Sequence, residues 1–185
     1  MKTIRPISVL TLIFTIGFLA SCKKVKEVLQ VDFDYNAEPI TVTIPAVPIA
    51  GQGFELSQGI TMDLDAIIRE NAPVGSSHNV REINLTGMTI EIAGADEANN
   101  LQNLETIRMT VGAEGLDDKV IAEVAENPDE YAASLSLPIP GGAADLKPYI
   151  MKKNFDYKLY VKPRRGTTKS LTVTVKTSYT FVVGV

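Results

Sequence analysis

The sequence predicts a mainly β protein: an antiparallel β-sandwich of about nine strands with one short helix, preceded by a cleaved signal peptide. Three observations predict it. Apolar and polar residues alternate at period two in nine separate stretches, the pattern of a half-buried strand. Short connectors carrying Gly, Pro, Asn and Asp separate them, which argues for antiparallel pairing and against βαβ units. Only residues 63–71 form a clear amphipathic helix pattern.

The chain opens with Lys2 and Arg5, then runs apolar from Ile7 to Ala20. That run of 14 residues is short of the ~20 a bilayer-spanning helix needs. A basic start, an apolar middle and small residues after it describe a secretory signal peptide. The run ends in Leu19-Ala20-Ser21-Cys22, which resembles a bacterial lipobox. The resemblance covers the first 22 residues. It implies cleavage between Ser21 and Cys22, a diacylglyceryl thioether on Cys22 and, usually, a third fatty-acyl chain (palmitate) on its new amino terminus. Each buried lipid CH₂ contributes roughly 0.8 kcal/mol, so two or more chains hold a protein durably on a membrane. A catalytic role for Cys22 finds no support, because the chain has one His and no local Cys–His pair.

The expected divisions are a signal peptide (1–21), a lipidated tether (22–29) and a β-sandwich domain (30–185). The "SCKK" start, the length and the β-rich remainder are similar to small lipoproteins of Bacteroidota. That resemblance implies anchoring to the outer membrane. Surface-displayed members carry acids just after the cysteine; Lys23 and Lys24 depart from this and point to the periplasmic side.

With Cys22 lipidated, no cysteine remains for a disulfide, so packing and backbone pairing must hold the domain. Charge is unevenly spread: residues 22–26 carry +3, residues 27–145 carry −17 and residues 146–185 carry +8. Basic C-terminal strands lying beside acidic ones would reconcile this.

The elements follow in order. "VDFDY" sets Val31, Phe33 and Tyr35 against Asp32 and Asp34. "PITVTIP" sets Ile40, Val42 and Ile44 against two threonines, with Pro39, Pro45 and Pro48 bracketing the stretch as edge-tolerated residues. "GFELSQGITMD" (53–63) is a third strand, weakened by Gly59. Leu64, Ile67 and Ile68 then share a helix face, Asp63 can cap its start, Asp65 and Arg69 are spaced for an ion pair, and Pro73 stops it. This helix is expected to cover an open end of the core. In "VREINLTGMTIEI" (80–92) the apolar phase switches at Gly87, as a bulge would require. "TIRMTV", "KVIAEVA", "SLSLPI", "NFDYKLYVK" and "SLTVTVKTSYTFVV" complete the set, with turn-like connectors at 95–104 and 141–150.

Chemistry is sparse. His78 sits in "GSSHNV", a loop sequence that supplies no triad geometry. One His and one Cys exclude a closed zinc site built from those residue types. The acid pairs Asp63/Asp65, Asp96/Glu97 and Asp117/Asp118 do not extend into a calcium loop. "GQGFE" precedes a strand and so is no phosphate cradle. No cofactor is expected, and an exported acidic protein is a poor match for nucleic acid. The one charged cluster is Lys162, Arg164, Arg165 and Lys169 in "VKPRRGTTK", read as a hairpin tip and a possible basic interaction patch for headgroups or an acidic partner.

The expected role is a non-enzymatic binding or structural module of the envelope, held by the lipid on Cys22 and free to meet another envelope protein. Two alternatives remain. One is a carrier of an apolar ligand between the sheets, with residues 63–71 as a lid. The other is a carbohydrate- or surface-binding module using Tyr131, Tyr149 and Tyr160.

Overall fold

Residues 29–47, 51–142 and 144–184 are described by the structure, a computed structural model. The signal peptide, Ser21, Cys22 and nearly all of the tether lie outside the described residues.

Ten strands form two antiparallel sheets. Sheet A contains β1 (Gln30–Asn36), β2 (Ile40–Ile44), β4 (Val80–Ile92), β7 (Ser134–Ser136), β8 (Ala144–Asp145) and β10 (Leu171–Gly184). Sheet B contains β3 (Phe54–Thr61), β5 (Leu104–Ala113), β6 (Leu116–Val124) and β9 (Asn154–Pro163). In sheet A, β1 and β2 run one after the other along the same edge of β10. On the far side, β7 and β8 follow each other along β4 in the same way. Counting each broken pair as one strand, the orders are β1/β2-β10-β4-β7/β8 and β3-β9-β5-β6. Eight strands in this order, changing sheet at every step except the β5–β6 hairpin, make a jelly roll, a β-sandwich built from Greek keys.

The sandwich expectation therefore stands, with β8 as the strand it lacked. β8 lies in the 141–150 connector, which also carries a short helix, α2 (Lys147–Ile150); the helix read from residues 63–71 precedes it as α1 (Leu64–Asn71). The 95–104 connector holds a 3₁₀ turn at Leu101–Asn103.

Periodicity became burial. In β10, Leu171, Val173, Val175, Tyr179, Phe181 and Val183 all point into the core. In β4 the phase switch is a β-bulge: Gly87 faces Ser178, but the next pair is Leu85 with Tyr179, leaving Thr86 extra. Helix α1 starts where Asp63 Oδ1 accepts from the Ala66 N–H at 2.9 Å, and it buries Leu64, Ile67 and Ile68. The spaced Asp65 and Arg69 are not among the ion pairs of the described residues. Holding two exposed side chains in one geometry costs rotamer freedom that such a pair scarcely repays.

"VKPRRGTTK" is not a hairpin tip. β9 belongs to sheet B and β10 to sheet A, so residues 164–170 cross between the sheets. The crossing is held by buried amides. Asn103 Nδ2 donates to the carbonyls of Ala98 (3.1 Å) and Gly166 (2.9 Å), and its Oδ1 accepts from the Asn100 N–H. Asn99 Oδ1 accepts from the Thr168 and Lys169 N–H groups. Asn127 Nδ2 donates to the carbonyls of Leu101 and Leu104. These side chains satisfy backbone groups of the loops and of Leu104, where β5 begins.

Replacing Asn103 by Leu keeps much of the volume and strands those partners. Urea denaturation should show a loss of about 1–3 kcal/mol. An unchanged midpoint would mean that water replaces the amide.

A candidate ligand cleft between the sheets

The site begins with a break in an edge strand. Asn36 pairs with Ser178 and Ile40 pairs with Val175, so residues 37–39 stand against only two residues of β10. Ala37 keeps one bond, donating its N–H to the Thr177 carbonyl at 3.1 Å. Glu38 is exposed at the rim, and Pro39 has no N–H to give the ladder. The wall of the sandwich opens here. Across the gap lies β3, the edge strand of sheet B, followed by α1.

The opening leads into a cleft of about 530 Å³ lined by both sheets and by α1. That lies within the ~300–1,000 Å³ typical of small-molecule sites. Ile40, Ile60, Met62 and Ile67 give it apolar walls. Its inner wall is a pair of buried phenols, with Tyr157 and Tyr179 hydroxyls 2.6 Å apart. Only one of the two can donate in that contact. Thr177, also buried and lining the cleft, hydrogen-bonds Tyr179.

Burial is the main force on the ionisation of both phenols. It pushes Tyr157 well above the ordinary phenol value, with Tyr179 adding to the effect. It raises Tyr179 too, against smaller opposing hydrogen bonds from Thr177 and Tyr157. Tyr35, near the mouth, is raised first by burial and then by the Glu38 and Glu70 carboxylates. Three acids line the cleft, Glu38, Asp63 and Glu70, and no Lys or Arg does. Asp63 is partly committed, because one oxygen caps α1.

The basic cluster read from sequence lies elsewhere and is engaged within the chain. Lys162 meets Glu105 at 2.9 Å, and Lys169 meets Asp96 at 2.7 Å. Arg164 and Arg165 both pair with Asp129, and Arg164 also donates to the Asn127 carbonyl. The hydrogen bond from Lys169, then that from Asn99, holds the Asp96 carboxyl at about 2.

The tyrosines proposed for sugar binding form no platform. Tyr149 is buried and donates to the Asp117 carbonyl at 2.8 Å. Tyr160 is half-buried, with Arg108 4.8 Å above its ring, and Gly53 approaches its hydroxyl so closely that a Cβ there would collide. Tyr131 is 55% exposed. His78 is an exposed residue of a 3₁₀ turn. Among the described residues no group of three or more His, Cys, Asp or Glu could hold a metal ion, and no helix is long and apolar enough to cross a membrane.

Sequence reading passed over the cleft residues Tyr35, Glu38, Glu70, Tyr157 and Tyr179. One signal was present: Thr177 is a polar residue in the inward phase of β10, between Val175 and Tyr179.

No protein-family model matches the chain, and no curated protein matches it. Among solved structures, the chain is similar to one titled Desmodium yellow mottle tymovirus, at 8% identity and a TM-score of 0.30, over 84% of this chain and 89% of that chain. A likeness at that score carries no argument, so the jelly roll rests on strand order.

Tyr157 and Tyr179 hold their protons more tightly folded than unfolded. The stability linked to them is intact below pH 10.0, the ordinary phenol value, and is lost as pH rises above it. Phenolate absorbance should show two of the six tyrosines titrating only as β circular dichroism collapses. Free titration of all six in the folded protein would contradict the buried pair.

Proposed function

We propose that the protein is an envelope-anchored lipoprotein whose jelly roll is a non-enzymatic binding module, with the inter-sheet cleft as its ligand site. The observation that carries the binding reading is the break at residues 37–39, which opens a cleft of about 530 Å³ onto a buried Tyr157–Tyr179 pair. Deeper in the core, Ile83, Leu85, Ile107, Val161 and Phe181 have no exposed surface. A small molecule held between sheet edges fits this opening better than an apolar chain threaded through the sandwich.

The anchor follows from the lipobox resemblance at Leu19–Cys22. Residues 22–29 reach at most ~28 Å when extended. They join the sandwich where Gln30 pairs with Gly184. That end of the domain would therefore stay close to the bilayer, on the periplasmic side of the outer membrane by the Lys23-Lys24 reading.

Two experiments test these parts separately. With radioactive fatty acid supplied to cells, the wild-type protein should take up label and Cys22→Ala should not. Label retained by the mutant would refute the anchor. For the cleft, the neutral fluorophore N-phenyl-1-naphthylamine should bind saturably. Ala66→Trp, which fills the cleft from α1, should abolish binding at an unchanged urea midpoint. Equal binding by both proteins would remove the cleft as the site.

A further inference from the structure

We infer that the cleft selects a cationic ligand: a small amine with an apolar or aromatic body and a hydrogen-bond acceptor at its inner end. This rests on the cleft being a binding site, and it adds the chemistry of the occupant. Three features of the geometry carry it.

The first is charge. Glu38 comes from the break between β1 and β2, and Glu70 from the last turn of α1, so two independent elements each bring a carboxylate to the cleft. Asp63 adds a third, and no Lys or Arg shares the lining. A carboxylate ligand entering here would approach like charges at reduced dielectric, whereas an ammonium group would be attracted. The second is the walls: Ile40, Ile60, Met62 and Ile67 favour an apolar body and offer it no ionic partner.

The third is the inner wall. Two phenols 2.6 Å apart share one donated proton, which leaves a second phenolic proton in a nearly dry environment beside Thr177. A ligand hydroxyl or carbonyl can accept it, and a hydrocarbon terminus cannot. The three hydroxyls carry three protons and make two bonds among themselves, so a ligand acceptor for the remaining proton gains affinity. A fatty acid matches neither end of the cleft. Its carboxylate would face Glu38 and Glu70 at the mouth, or would have to be buried uncompensated against the phenols.

Three probes of one shape separate the possibilities: tyramine, 4-ethylphenol and 3-(4-hydroxyphenyl)propanoate. Each carries the same phenolic body; they differ by a cationic tail, no charge and an anionic tail. Calorimetric titration of the full lipid-anchored protein in detergent should rank tyramine above 4-ethylphenol, and the propanoate at least about tenfold weaker than tyramine. The gap should narrow as salt rises to about 0.5 M, because the carboxylates are near solvent. The double variant Glu38→Gln, Glu70→Gln should bring tyramine down to the level of 4-ethylphenol and leave 4-ethylphenol unchanged.

Equal or tighter binding of the propanoate would overturn the inference. So would 4-ethylphenol or N-phenyl-1-naphthylamine binding with no preference for the amine; the cleft would then stand as a site of another selectivity. No binding by any of the four probes would overturn both readings.

Discussion

The capture of one strand organises the rest of this fold. β10 is 14 residues long and pairs on one side with β1 and β2 and on the other with β4. Sheet A cannot form until residues 171–184 enter between residues 30–44 and 80–92. Every partner is remote in sequence, so loop-closure entropy opposes the step until the full ladder and its inward apolar row repay it. Phe181 shows how completely the strand is enclosed. It stacks on Phe33 across the β1 ladder at 5.1 Å, meets Tyr35 edge-on at 5.9 Å and has no exposed surface.

Charge is arranged to match that insertion. Six ion pairs join a C-terminal cation to an acid of residues 27–145: Lys158–Asp118, Lys162–Glu105, Arg164–Asp129, Arg165–Asp129, Lys169–Asp96 and Lys176–Glu91. Each is at least partly exposed and worth ~1 kcal/mol or less. Their combined effect is to set a segment of +8 against part of one of −17. The cluster at 162–169, which resembles a docking patch in sequence, thereby becomes part of the adhesive between β9, β10 and the crossings beside them.

The cleft arises where regularity fails. Three residues stand where the ladder has room for two, and the two that matter are ordinary: Glu38, exposed at the rim of the cleft, and Pro39, which cannot donate. Elsewhere the two sheets close on each other through large apolar side chains. At this edge a broken strand faces the departure of α1, and the inner surface exposed is polar because Tyr157, Tyr179 and Thr177 occupy inward positions. Burying three hydroxyls in a core is tolerable when they bond one another, and that arrangement leaves the cleft with a chemically specific inner wall.

How much was legible in the sequence differs by kind of interaction. Strand identity, the capped helix, the bulge at Gly87 and the inward row of β10 depend on neighbours in the chain, and period two or period 3.6 displays them directly. The acid and base asymmetry was legible as a charge difference, but its partners were not. The site was almost illegible. Tyr35, Glu38, Glu70, Tyr157 and Tyr179 lie on five elements from both halves of the chain, and each reads alone as an ordinary strand, turn or helix residue. By itself the sequence determined which residues face inward and where the chain resembles an export and lipidation signal. The tertiary structure alone decided that β9 and β10 part company instead of forming a hairpin, that the basic cluster is neutralised within the chain, and that two phenols 22 residues apart meet at the inner wall of a cleft. The physical reason is one of range. Alternation and capping are set over a few residues, whereas sheet assignment and site assembly depend on which distant strands can close a common core.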